Sequence, residues 1–204
     1  MAQHIAANFL GTLSKSVLQS AKYLSFSPGD HVIGPLTPAS DSYFYILAKG
    51  TVKLIYEDAS ARPLIIDLYH AGDFFGEMEI IGMKTDDRSI VAMTKCEVYQ
   101  FTGEQFFDLW NNCSEFSRYI LHVHCERLIR SGNDKIHSEC MFLREKVFRI
   151  IQDNLNVNNY FMYTKEVLAE MAGVSLRSLN RALAELGDLK LVETSAGRIH
   201  LYVE

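Results

Sequence analysis

At 204 residues, 48% hydrophobic and 22% charged, the sequence has the make-up of an ordinary globular protein with room for two small domains. A formal net charge of -5 is unfavourable for a protein whose partner is a polyanion, unless a few cations are well placed. No apolar run reaches the ~20 residues needed to span a bilayer, and Met1 to Leu10 lacks the basic start and apolar core of a secretory signal, so the expectation is a cytoplasmic protein without a membrane partner.

Residues Met1 to Lys22 carry Phe9, Leu13, Val17 and Leu18 at helical spacing, which predicts a short N-terminal helix. From Tyr23 the period changes to two. Tyr23 to Phe26 and His31 to Ile33 flank the turn Ser27-Pro28-Gly29-Asp30, and Ser42 to Leu47 meets Thr51 to Tyr56 across Lys49-Gly50. A polar hairpin loop, Glu57 to Arg62, leads into Pro63 to Tyr69 and the turn His70 to Asp73. Strands that recur about every ten residues, with glycines at Gly29, Gly50, Gly72 and Gly76, are the pattern of a β-sandwich or barrel.

Beyond Glu104 the period turns helical. A short helix is expected around Gln105 to Trp110, then a long one from an N-cap at Ser114 to about Ile136. Leu121, Cys125, Leu128 and Gly132 recur on that helix at intervals of four, three and four, the spacing of a seam against a second helix. His137-Ser138 is the expected hinge. Met141 to Asn154 then reads as an amphipathic helix burying Phe142, Val147, Ile150 and Ile151, followed by a polar loop from Asn156 to Asn159.

The stretch from Tyr163 to Val203 has the pattern helix, turn, helix, hairpin. Val167, Leu168 and Met171 line the first helix, with Ala169 leaving room for a close neighbour; Gly173 can take the left-handed turn, and Ser175 is a good N-cap for the second helix, Leu176 to about Leu186. Leu179, Ala182, Leu183 and Leu186 face inward, which leaves Arg177, Asn180, Arg181 and Ala184 facing out. An arginine can read guanine with two hydrogen bonds and an asparagine can read adenine, so this face suits the major groove. Asp188 to Val192, the turn Thr194 to Gly197 and the strand Ile199 to Val203 read as a two-stranded wing. From Met141 to Glu204 eight Lys or Arg balance eight Asp or Glu. DNA binding would therefore depend on placement, with Lys165 and Arg198 as candidate phosphate contacts.

The stretch VLAEMAGVSLRSLNRALAEL resembles the winged helix-turn-helix of the CRP/FNR family of bacterial transcription regulators. SPGD, YILAKGTVKLIY and AGDFFGEMEI stand in the order of that family's cyclic-nucleotide-binding jelly roll, so the resemblance covers Tyr23 to Val203. It implies an α+β chain in three parts: an effector-sensing β jelly roll over 1–113, a dimerisation helix and hinge over 114–137, and a winged helix-turn-helix over 138–204. It further implies a homodimer on a palindromic operator in double-stranded DNA, contact with RNA polymerase, and an approach to DNA by Ser175, Arg177, Ser178 and Arg181, with Arg177 and Arg181 as base readers; Asn180 shares their face.

The same resemblance assigns Gly76, Glu77, Arg88 and Ser89 to a phosphate-binding cassette, for which cyclic AMP or a similar nucleotide is the candidate effector. An arginine and a hydroxyl can hold a phosphate, and a carboxylate can accept from a ribose hydroxyl. Asp86 and Asp87 directly precede Arg88, where their charge opposes a phosphate. Two alternatives stay open: a cyclic-nucleotide-binding module acting on a protein partner, and a cupin-like metal enzyme. The latter needs three converging ligands, whereas the β-region offers His31 and His70. Cys96, Cys113, Cys125 and Cys140 are scattered and read as buried free thiols, and His122, His124 and Cys125 as surface residues. No catalytic or metal-ligating residue is expected.

Overall fold

Phe44, Tyr45, Ile46 and Leu47 are four consecutive buried residues, and their alternation explains the layering of the N-terminal part. Successive side chains of a strand point to opposite faces. Phe44 and Ile46 join a cluster with Phe74, Phe101, Phe106, Phe116 and Ile120, while Tyr45 and Leu47 join another with Val52, Phe75, Ile90 and Val98. The strand is thus covered on both sides, by helices on one and by a second sheet on the other.

The computed structural model describes residues 13, 15–34, 42–56, 63–83, 88–195 and 197–202. The expected positions Phe9, Glu57 to Arg62, Asp86, Asp87, Ala196 and Val203 lie outside them. Helix α1 (Lys15–Ser20) precedes strands β1 (Lys22–Phe26), β2 (His31–Ile33), β3 (Tyr43–Lys49), β4 (Thr51–Tyr56), β5 (Leu64–His70) and β6 (Phe74–Phe75). A short helix, α2 (Glu77–Ile80), leads to β7 (Arg88–Ala92) and β8 (Cys96–Thr102). The strands form two four-stranded sheets, ordered β1-β8-β3-β6 and β2-β7-β4-β5. In the first sheet β3 runs antiparallel to both neighbours, with Phe44 opposite Phe101 and Tyr45 opposite Phe75. Helix α3 (Gly103–Asn112) starts at a capping box in which the Thr102 hydroxyl accepts from Gln105 N–H at 3.2 Å and the Gln105 carboxamide accepts from Thr102 N–H at 2.8 Å.

Helix α4 runs from Ser114 to Cys140, four residues beyond the expected end and through the expected hinge. Phe116, Tyr119 and Ile120 near its start are buried on the β-domain. Chain packing divides the protein within α4: one unit comprises Met1–Ala61 and Ile66–Cys125, the other Arg62–Ile65 and Glu126–Glu204. No helix among the described residues is long and apolar enough to cross a membrane.

In the second unit, α5 (Leu143–Asp153), α6 (Lys165–Ala172) and α7 (Leu176–Asp188) surround a core of Val147, Ile151, Leu168, Leu179, Leu183 and Leu186, closed by Val192 and Ile199 of the ribbon β9 (Val192–Ser195) and β10 (Arg198–Leu201). Two expectations are corrected. Phe142 is 69% exposed rather than buried, because it stands at the N-cap of α5, before the first turn can bring it to the packed face. The wing begins at Val192 rather than Asp188, because α7 continues to Asp188 and closes through Lys190, which takes a positive φ of 54° while Leu191 N–H donates to Leu186 C=O at 2.9 Å.

The turn between α6 and α7 follows from two residues. Gly173 takes φ 69° and ψ 33°, the left-handed region that ends a helix cheaply only for glycine. The Ser175 hydroxyl then accepts from Ser178 N–H at 3.1 Å and caps α7. Ser175→Ala is expected to cost about 1 kcal/mol, measured by urea denaturation, and an unchanged midpoint would show that the cap contributes nothing.

Candidate nucleic-acid interface and effector cavity

Helix α7 sorts its residues by a hydrophobic rule. Leu179, Ala182, Leu183 and Leu186 recur at the 3.6-residue period and are buried, so the residues between them are forced outward. Arg177, Asn180, Arg181 and Ala184 are exposed, Arg181 with 77% of its side chain in solvent. The four residues thus share one exposed face of the helix. Ser175 and Ser178 are half-buried, and their hydroxyls lie 3.0 Å apart. Their main engagement is with each other and the helix cap. Lys165 is half-buried at the first position of α6, and Arg198 is exposed at the tip of the ribbon, directly after the turn.

Glu185 joins this face without belonging to the sequence motif. Its carboxylate lies 4.0 Å from Arg181 Nε, one turn along, and 3.8 Å from an Arg144 guanidinium nitrogen on α5. These pairs are solvent-exposed and weak, so they orient Arg181 without tying it down. The four-residue spacing is the available signal in the sequence for the first of them.

In the β-domain, Gly76, Glu77, Arg88 and Ser89 are brought to one cavity, together with Ile33, Leu54, Tyr69, Phe75 and Ile90. Gly76 has φ 91°, and a Cβ added there would lie 2.1 Å from the Tyr43 carbonyl oxygen. Its presence is therefore a demand of the fold. Glu77 is 4% exposed, and its Oε1 lies 3.3 Å from His124 Nε2 on α4, whose ring meets Phe74 edge-on at 5.7 Å. Ser89 is buried and Arg88 exposed on β7. His124 keeps 38% of its side chain in solvent, as expected of a surface residue, while the helix brings it to Glu77 across 47 positions, a pairing that no local spacing encodes.

The donor set suits a phosphate. The cavity measures about 40 Å³, which a few water molecules would fill. If Arg88 holds the phosphate of a cyclic nucleotide, titration with cyclic AMP should give saturable heat that Arg88→Ala abolishes, and no heat at millimolar concentration would remove cyclic AMP as effector.

Two other readings meet the geometry here. His31 on β2 and His70 on β5 lie on opposite edges of one sheet and cannot share a metal ion. Among the described residues no group of three or more His, Cys, Asp or Glu could hold one. Of the described cysteines only Cys96 is buried; Cys113 is half-buried and Cys125 exposed, which corrects the expectation of buried thiols.

Residues 23–113 match the cyclic nucleotide-binding domain family. Over 164 residues the chain is 30% identical to the cAMP-activated global transcriptional regulator Vfr of Pseudomonas aeruginosa, covering 74% of this chain and 76% of that protein. It is 22% identical over 170 residues to the cAMP-activated global transcriptional regulator CRP of Pasteurella multocida, covering 78% and 80%. The fold is shared with the c-di-GMP responsive global regulator CLP of Xanthomonas campestris, with a TM-score of 0.80 at 19% identity over 92% of this chain and 96% of that one. A transcriptional regulator of the CRP/FNR family from Thermus thermophilus superposes with a TM-score of 0.75 at 18% identity, covering 89% and 94%.

Proposed function

The chain belongs to the CRP/FNR family of transcriptional regulators, and on that premise we propose that it binds a two-fold symmetric duplex operator as a homodimer, with α7 of each copy in a major groove. It is a DNA-binding regulator of transcription. The observation that carries the rest is the outward face of α7, where Arg177, Asn180 and Arg181 stand together over a fully apolar buried face. Arg177 and Arg181 read bases, while Lys165 and Arg198 contact phosphates. Ser175 and Ser178 approach DNA chiefly to hold the start of the helix.

Dimerisation proceeds through α4. Leu121, Cys125, Leu128 and Gly132 form an exposed stripe at heptad spacing, with Leu121 61% and Leu128 74% in solvent. Two such stripes bury each other, and the two-fold axis so created sets the half-site spacing. The protein acts in the cytoplasm, with RNA polymerase as its partner at promoters, as the family membership suggests. Control of DNA affinity by a small effector at Gly76, Glu77, Arg88 and Ser89 requires that the effector favour the DNA-competent arrangement.

The test is an operator selected from a random duplex library with the purified protein. Arg181→Ala is expected to cost about 1–3 kcal/mol on that operator and little on random duplex. An equal loss on both would assign Arg181 to the backbone. Failure to enrich any sequence would remove the specific reading altogether.

A further inference from the structure

The wing carries a feature that DNA contact by Arg198 does not by itself require. The guanidinium carbon of Arg198 sits 5.5 Å from the centre of the Tyr160 ring, within cation–π range. Tyr160 comes from the segment between α5 and α6, and it is held rigidly. Its backbone bridges to His200 of β10, its N–H donates to the Asn156 carboxamide oxygen at 3.0 Å, and Phe161 N–H donates to Ile199 C=O at 2.9 Å. The His200 ring meets Tyr160 edge-on, with centroids 4.1 Å apart. Arg198 and His200 are two apart on β10 and share its outer face, while Ile199 between them is buried.

We propose that Tyr160 is a positioning residue for DNA binding: a fixed aromatic platform that holds Arg198 extended at the wing tip, ready to meet a phosphate. This rests on the DNA reading above and adds a residue that no recognition motif contains. An arginine free in solvent loses much rotamer freedom when it docks, and a side chain already laid along a rigid ring has lost part of it beforehand. Asn156 serves the same end at one remove, because its carboxamide accepts from both Asn158 N–H and Tyr160 N–H and so fixes the turn that presents the ring.

The experiment measures affinity for random-sequence duplex against salt concentration. Arg198→Ala should weaken binding and lower the slope of log K against log salt by about 0.9, the signature of one lost phosphate contact. Tyr160→Leu should weaken binding about two- to fivefold, the factor expected of an exposed cation–π contact, with the slope unchanged because the cation still docks. Tyr160→Phe, which keeps the ring, should bind as the unaltered protein does. In an Arg198→Ala background Tyr160→Leu should have no further effect. The same loss in both backgrounds would show that Tyr160 only supports the fold and would overturn the proposal, as would unchanged affinity of Tyr160→Leu beside a reduced slope for Arg198→Ala. An unchanged slope for Arg198→Ala would remove the wing contact and this proposal with it, while absence of duplex binding by the unaltered protein would remove the DNA reading itself.

Discussion

Leu128→Asp should convert the protein to a monomer in sedimentation equilibrium and lower its operator affinity by about 10²–10⁴-fold. The argument begins with exposure. A leucine left 74% in solvent on a long helix, with Leu121 61% exposed two turns earlier and Ile129 65% exposed beside it, is an unpartnered apolar face. Paired across a two-fold axis, each Leu128 would pack against its counterpart, and an aspartate there would place two carboxylates face to face in a desolvated seam. The loss of DNA affinity follows from linkage. A dimer makes its second half-site contact at high effective concentration, and a monomer does not. Because the side chain is exposed within one chain, the substitution should leave the fold intact, which circular dichroism checks. A Leu128→Asp protein that still sediments as a dimer would show that α4 is not the seam.

Gly76→Ala should lower stability by about 2–6 kcal/mol, combining backbone strain with a forced overlap, and Tm by on the order of 10 °C. The added Cβ would lie 2.1 Å from the Tyr43 carbonyl oxygen and 3.2 Å from the Tyr45 ring, while φ of 91° disfavours any L side chain. Either the β3–β6 pairing or the start of α2 must shift. Gly29→Ala separates the two causes: φ is 92° there, and nothing lies within 4 Å of the added carbon. It should therefore cost only the strain, roughly 1–2 kcal/mol. Equal midpoints for the two variants would contradict the overlap argument. The pair also decides how Gly76 is to be understood, since a residue the backbone demands says nothing about what the neighbouring cavity binds.

Periodicity made much of this protein legible. The strand through Phe44 to Leu47, the apolar positions of α7, the glycine turn at Gly173 and the cap at Ser175 are local matters of side-chain spacing and backbone freedom. Each stands in the structure at its expected place. Local chemistry failed at element ends. Phe142 has the character of a core residue but falls before the first helical turn, and the residues from Asp188 to Leu191 look strand-like but belong to a helix and its closure. Propensity is shared among neighbours at such boundaries, so hydrogen bonding settles them.

The site divides along the same line. Which faces of α4 and α7 are apolar and which polar is a consequence of residue order alone, because a helix of fixed pitch leaves no other choice. That Glu77 meets His124, that Arg198 lies on Tyr160, and that Arg88 and Ser89 line one cavity with Gly76 and Glu77 depend on separate segments being carried together by packing. Contacts of that kind have no period, since their geometry arises only when the sheets and helices have closed around a common core.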